Sequence, residues 1–243
     1  MDTLAVYLIE MAAVLAVSWI ARSGPVFRYR QIGFVYARRD GLVALGLWAV
    51  ALLVSLAGVV GVFPAMFPAG PVAPWLGKEA SAVAISLLVL LAVLFIRRQP
   101  AKSTGWGRAT LRAGLLMGAA LAFLVLFLAG DVTQFSQTAW QNGASMGNIV
   151  VLCLAEETIF RGYIQLRLEW WLGKRYGLPL TALLFFIWQM PFLLAQPGAV
   201  GIVLGLGAAQ ALILGWLMRV GGHVLGPALY RILSTALQFT RLL

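Results

Sequence analysis

Glu156, Glu157 and Arg161 stand together in the stretch AEETIFRGYIQ, residues 155–165, inside a segment otherwise apolar enough to cross a membrane. Two carboxylates and a guanidinium in such a place can pair, bind an opposite charge, or move a proton. An ionisable side chain at the middle of a span costs on the order of 2.5–3.5 kcal/mol on insertion scales, so such groups face a bundle interior with a partner. Glu157 and Arg161 are four residues apart, on one helical face, with the acid before the base, the favourable order for an ion pair. Glu156 is five residues from Arg161, about 140° around an ideal α-helix, and that spacing does not neutralise it within its own helix. A carboxylate tied to arginine is a poor base, whereas one held dry without a cation is a better one. Glu156 is therefore the candidate general base, with Glu157 and Arg161 as its support. The alternative is a buried ionic staple that fixes helix packing.

The elements that must hold these residues follow from composition. Of 243 residues, 62% are hydrophobic and 11% charged, with a mean hydropathy of +0.93. Soluble domains have about a quarter of their residues charged. The fold class expected is all-α integral membrane, a bundle of about eight transmembrane helices, near residues 3–21, 41–64, 80–96, 113–130, 147–168, 178–195, 198–219 and 223–240. Residues 1–146 would form four helices preceding a four-helix unit, 147–243, that carries the charged motif. The N-terminus has no basic stretch before its apolar run, which reads as a first span rather than a cleaved signal.

Lysine and arginine distribution tests this division. The first loop has Arg22, Arg28, Arg30, Arg38 and Arg39, and the third has Arg97, Arg98, Lys102, Arg108 and Arg112. The second has only Lys78, and the fourth and sixth have none. The alternation places the odd loops in the cytoplasm and both termini outside, in the cell membrane. It also accounts for the net charge of +10 through topology, without nucleic acid as a partner; binding of anionic lipid would be an additional role. Trp75, Trp106, Trp140, Trp170 and Trp171 fit an aromatic belt, and Gly201 with Gly205 fits close helix packing better than a nucleotide loop. A single cysteine, Cys153, excludes an internal disulfide and a cysteine metal cluster. Glu10, Gln165, Gln210 and Gln238 are further polar groups inside spans.

EETIFRG resembles the first motif, Glu-Glu-x-x-x-Arg, of the CPBP family of CAAX-processing and bacteriocin-processing intramembrane proteases. ALLFFIWQMPF is similar to its second motif, Phe-x-x-x-His, and GWLMRVGGHVLGPALYRILSTAL to its closing glycine-rich turn and His-x-x-x-Asn helix. The resemblance covers about residues 147–240. It implies an eight-helix bundle with a polar cavity open toward the cytosol, in which the first glutamate activates water and the histidines and asparagine hold the oxyanion. Carried onto this chain, Glu156 is the water-activating acid, Glu157 and Arg161 its companions, and Phe185 opens the second motif. The chain departs from the pattern at three positions: Gln189 and Arg231 replace the two histidines, and Thr235 replaces the asparagine.

Gln189 cannot exchange a proton near neutral pH, but its amide can donate to an oxyanion. Arg231, a permanent cation with Thr235 one turn away, can clamp an oxyanion or neutralise Glu156. Two glutamates against two arginines give a balance of zero. Without imidazole or thiolate the acids make a poor zinc site, so no catalytic metal and no cofactor are expected. His223, the only histidine, fits neither motif position and reads as an interfacial or capping residue. Pro191 leaves the Ile187 carbonyl unpaired and is expected to kink its helix.

Two functions follow. One is an intramembrane endopeptidase acting on a membrane-embedded or lipidated peptide, with Glu156, Glu157, Arg161, Gln189, Arg231 and Thr235 as its site. The other is an inactive relative that binds a peptide or lipid segment or serves a membrane protein partner. A small transporter is disfavoured because the spans show no repeated halves with matched broken helices.

Overall fold

The computed structural model describes residues 3–24, 27, 33–67, 74–129, 135–137, 141–194 and 200–241. Arg28, Arg30, Trp140 and parts of the fourth loop lie outside the described residues, as do the side chains of Trp75 and Gln238 and the surroundings of Gly201 and Gly205.

Among the described residues the long helices number eight: α1 Thr3–Arg22, α2 Ala37–Val59, α3 Pro74–Ile96, α4 Arg108–Ala129, α5 Gly143–Leu172, α6 Lys174–Leu194, α7 Val200–Gly221 and α8 Leu225–Arg241. A short 3-10 turn, Ala101–Thr104, joins α3 to α4. In lipid every backbone polar group must be satisfied within the chain, and helices do this segment by segment. By length and composition α2, α3, α4 with its preceding turn, α5 and α6 can each cross a membrane as continuous helices. The chain is an all-helical integral membrane bundle. Leu53, Leu88, Phe95, Phe123 and Phe127 are exposed on its outside, as lipid-facing positions should be.

Helices α2 to α6 each begin four to six residues earlier than hydropathy predicts. The first turn of α2 takes in Arg38, Arg39 and Asp40, and α3 takes in Lys78 and Glu79, because charged residues at helix ends lower hydropathy without breaking backbone hydrogen bonds. Helix α6 continues through Pro191 to Leu194.

Helix α5 is the most buried of the five apolar helices. One core gathers Leu47 and Ala51 of α2, Val83 and Leu90 of α3, Phe160 and Tyr163 of α5, Phe185 and Trp188 of α6, Ala211 of α7 and Ala236 of α8. A second joins Val14, Leu121, Leu217 and Tyr230 from α1, α4, α7 and α8. Close approach fixes α5 lengthwise. A Cβ on Gly162 would run into the Thr104 carbonyl and meet Val224 Cγ2 at 3.0 Å, so only glycine lets α5 touch the 3-10 turn here. Gly173, at φ 81°, makes the reversal into α6.

Helix α5 is not α-helical throughout. Gly143–Glu157 is α-helical, Thr158–Gln165 is π-helical, and Leu166–Leu172 returns to α. Closing i→i+5 bonds widens the turn and brings residues five apart toward a common face. The 140° separation of Glu156 from Arg161, which assumes an α-helix, is therefore too large. The π stretch starts one residue after the glutamate pair, where the Thr158 hydroxyl donates to the Leu154 carbonyl at 2.7 Å and accepts from Trp106 Nε1 at 3.1 Å.

Between α7 and α8, His223 is buried and its Nδ1 accepts the Leu225 N–H at 3.1 Å, an N-terminal cap for α8. The ring stands edge-on to Trp106, with centroids 5.5 Å apart. Burial lowers its pKa below the ordinary 6.5. The unfolded chain therefore takes up the proton first, and stability present at pH 7 is lost as pH falls through about 6.5 and below. Substituting His223→Asn keeps a capping acceptor and removes the titration. Melting temperatures from pH 7 to pH 5 should fall more steeply for the parent than for His223→Asn; parallel curves would refute the assignment.

Candidate active site

The site is built at the joint of α5 where the α-helix widens. Glu156, Glu157 and Arg161 are each fully buried, and Arg231 on α8 is 5% exposed. Arg161 Nε lies 3.4 Å from Glu157 Oε2, the four-residue pair that the spacing predicts. Arg231 Nη1 donates to Glu157 Oε1 at 3.2 Å, and its Nη2 closes on Glu156 Oε2. One guanidinium therefore spans both carboxylates. Glu156 thus has a cation, supplied not by its own helix but by Arg231, one of the two roles that the sequence left open for that residue. A guanidinium can do this because its donors form a planar fork; an imidazole at the same place would reach one carboxylate at a time.

Packing seals the pair. Both Glu156 oxygens and Glu157 Oε2 present essentially no surface that water could touch, and neither Glu156 oxygen has a partner with hydrogen-bond geometry among the described residues. The three guanidinium nitrogens of Arg161 are likewise buried without hydrogen-bond acceptors among the described residues. Arg161 and Arg231 instead flank one aromatic ring: their guanidinium carbons are 4.5 and 4.8 Å from the centroid of Phe185. Phe185 packs edge-on to Phe160 at 5.0 Å and stacks with Trp188 at 6.0 Å. Helix α2 fixes this aromatic wall through Trp188 Nε1 donating to the Ala51 carbonyl at 3.1 Å and Trp48 Nε1 donating to the Leu184 carbonyl at 2.8 Å.

The remaining expected site residues sit differently. Thr235 lies one turn beyond Arg231, its hydroxyl 4.0 Å from Cys153 Sγ on α5, beside the ion cluster. Gln189 is half-buried on α6 and makes no hydrogen bond with a described residue. The structure thus joins Glu156, Glu157, Arg161, Phe185 and Arg231, with no hydrogen bond from them to Gln189 among the described residues.

Sequence reasoning missed Glu79. It is 7% exposed on α3 and within electrostatic reach of both Arg231 and Glu156. Among the described residues it forms no ion pair. The buried set is therefore three carboxylates against two guanidiniums rather than a balance of zero. Its neighbour Lys78 made the residue look like part of a loop, although Glu79 is the sixth residue of α3. Gln165, also inside the span, is occupied elsewhere: its Nε2 donates to Glu169 Oε1 at 2.7 Å and the Gly215 carbonyl at 2.9 Å, and Glu169 pairs with Arg219 at 2.8 Å.

Residues 138–237, which hold α5, α6, α7 and most of α8, match the family model described as type II CAAX prenyl endopeptidase Rce1-like. Over these residues the chain resembles the CPBP proteases. No curated protein and no solved structure gives a significant match. The matched stretch carries Glu156, Glu157, Arg161, Phe185 and Arg231, while Glu79 and the α2 residues that brace the aromatic wall lie before it. Its likeness to a CAAX endopeptidase is confined to that stretch, and its apolar helices mark the whole as a membrane protein.

Proposed function

We propose that this CPBP-like protein is a non-hydrolytic member of its type, which engages a membrane-associated or lipidated polypeptide segment while its glutamate pair stays locked. The observation that carries the proposal is the Arg231 fork across Glu156 and Glu157, with both Glu156 oxygens sealed from water. Peptide hydrolysis by a glutamate needs a water within hydrogen-bond reach of the carboxylate, and a carboxylate free to take its proton. Glu156 meets neither condition, and Gln189 cannot return a proton to a leaving amine. The binding half of the proposal rests on the likeness to CAAX endopeptidases. It includes the cell membrane as location, the basic first and third loops on the cytoplasmic side, and residues 1–146 as the helices that enclose the four-helix unit 147–243.

The third carboxylate favours a second reading, an endopeptidase in which Glu156 activates water while Gln189, Arg231 and Thr235 stabilise the oxyanion. Glu79 supplies the excess negative charge that would compete for Arg231 and release Glu156.

One assay separates the two. Parent, Glu156→Gln and Glu79→Gln proteins reconstituted in liposomes are given a prenylated C-terminal peptide and a transmembrane peptide, and cleavage and binding are followed together. The non-hydrolytic reading expects binding by all three and no cleavage by the parent above that of Glu156→Gln. Cleavage that drops by about 100-fold or more in Glu156→Gln, the usual worth of a general base, would overturn it in favour of the endopeptidase.

A further inference from the structure

Glu79 is the acid that the Arg231 fork leaves out. It stands on the inward stripe of α3 between Leu76 and Val83, both of which pack into the core that holds Cys153 and Ile159 of α5. The side chain is buried, with Glu156 and Arg231 within its electrostatic reach. Arg231 is already engaged, one nitrogen with Glu157 at 3.2 Å and the other with Glu156. Arg161 is held by Glu157 and the Phe185 ring.

Among the described residues no further cation comes near. Arg167, also buried on α5, lies farther along the helix and donates to the Tyr163 and Ser103 carbonyls and to Gln99 Oε1. Helix α2 meets α3 at this level through Gly58, where a Cβ would lie 3.6 Å from Ala82 Cβ. Its Arg38, Arg39 and Asp40 stand at the other end, where Asp40 pairs with Arg97. Residues 60–77, which lead into α3, contain no ionisable side chain, and Lys78 is exposed, since adjacent helical residues do not share a face. The charged and titratable groups that face Glu79 are therefore Cys153, Glu156, Glu157 and Arg161 on α5 and Arg231 on α8.

With every carboxyl ionised, this cluster would hold three negative charges against two positive ones inside a membrane. A buried ion without a partner is more costly than a carboxyl that keeps its proton, and crowded carboxylates do not all stay ionised. One proton makes the cluster neutral. Glu156 and Glu157 each have a guanidinium nitrogen upon them, so the proton falls to the acid that has none.

We propose that Glu79 carries this proton at neutral pH and is a positioning residue for Arg231: as a neutral acid it exerts no pull on the guanidinium, which stays forked across Glu156 and Glu157. Loss of the proton to solvent presents Arg231 with a third carboxylate and loosens the fork. The inference rests on the locked reading of the site and names the group that keeps the lock closed.

The test is infrared difference spectroscopy between pH 7 and alkaline pH, on the full-length protein in a detergent without carbonyl groups. A carboxyl that loses its proton loses its acid C=O stretch. The parent should lose such a band, and Glu79→Gln should lack it. Glu79→Asp keeps the charge count and should shift the band, whereas Glu156→Asp should leave it in place. The folded protein holds a proton that the unfolded chain has released by pH 7, so stability falls as pH rises until Glu79 ionises. Melting temperatures over the pH range in which the band disappears should therefore fall further for the parent than for Glu79→Gln. A parent without the band, a band that survives Glu79→Gln, or one that moves with Glu156→Asp overturns the proposal; parallel melting curves do so even if Glu79→Asp fails to fold. Cleavage of peptide by the parent would overturn the non-hydrolytic reading without moving the band, so the two failures are distinct.

Discussion

Arg231→Met is expected to cost about 3–5 kcal/mol of stability, the range for breaking a buried ion pair by removing one partner. The arginine is the sole member of the cluster that reaches both Glu156 and Glu157. Without it, three carboxylates would face Arg161 alone, in a place that water does not enter. Adding Glu156→Gln to Arg231→Met should recover a substantial part of the loss, because the amide has no charge to leave unpaired. A double-mutant cycle in detergent unfolding would read this coupling directly. If Arg231→Met costs less than about 1 kcal/mol, the worth of an exposed pair, the fork does not lock the site and the non-hydrolytic reading loses its main support. The experiment also bears on chemistry. Arg231→His introduces the histidine that the resemblance implies at this position, and it cannot bridge both glutamates in the way the guanidinium does.

What the sequence makes legible here follows the physics of spacing. Glu157 and Arg161 meet because four residues return to one helical face, and their 3.4 Å separation needed no tertiary knowledge. The eight segments are legible because apolar runs have no alternative to helices in lipid. The partner of Glu156 is a different matter. It depends on how α8 packs against α5, and the sequence could state only that Arg231 might reach the acid. The π stretch has no composition of its own: Thr158–Gln165 reads as an ordinary helix, and the widening shows only in the backbone. Glu79 and Arg167 escaped for one shared reason. Each lies near a helix end beside other polar residues, where hydropathy cannot distinguish an interfacial charge from one turned inward. A buried charge close to a span end is betrayed by its packing, never by its average surroundings.

Phe185 is the second position where a large effect is expected. In a soluble core Phe→Ala costs about 3–5 kcal/mol, part of it transfer of the ring from water. In a bilayer the transfer part largely vanishes, since lipid is as apolar as the interior, and packing is what remains. Phe185 is 2% exposed and wedged between Phe160 and Trp188. It is also the one ring that both site guanidiniums address. Among the described residues Arg161 has no hydrogen-bond acceptor for any of its three nitrogens, so the ring face and Glu157 together carry its stabilisation. Phe185→Leu refills much of the volume without restoring a π-face. A desolvated cation–π contact is worth about 2 kcal/mol, so Phe185→Leu should retain a loss of that order, and Phe185→Ala should exceed it by the cavity term. A conservative swap of similar volume in a core costs under about 1.5 kcal/mol. If Phe185→Leu falls well inside that range, and adding Arg161→Met to it costs as much as Arg161→Met alone, the ring is only packing. If instead the two losses are strongly non-additive, Phe185 holds the arginines in position, and through Arg231 it holds Glu156 closed.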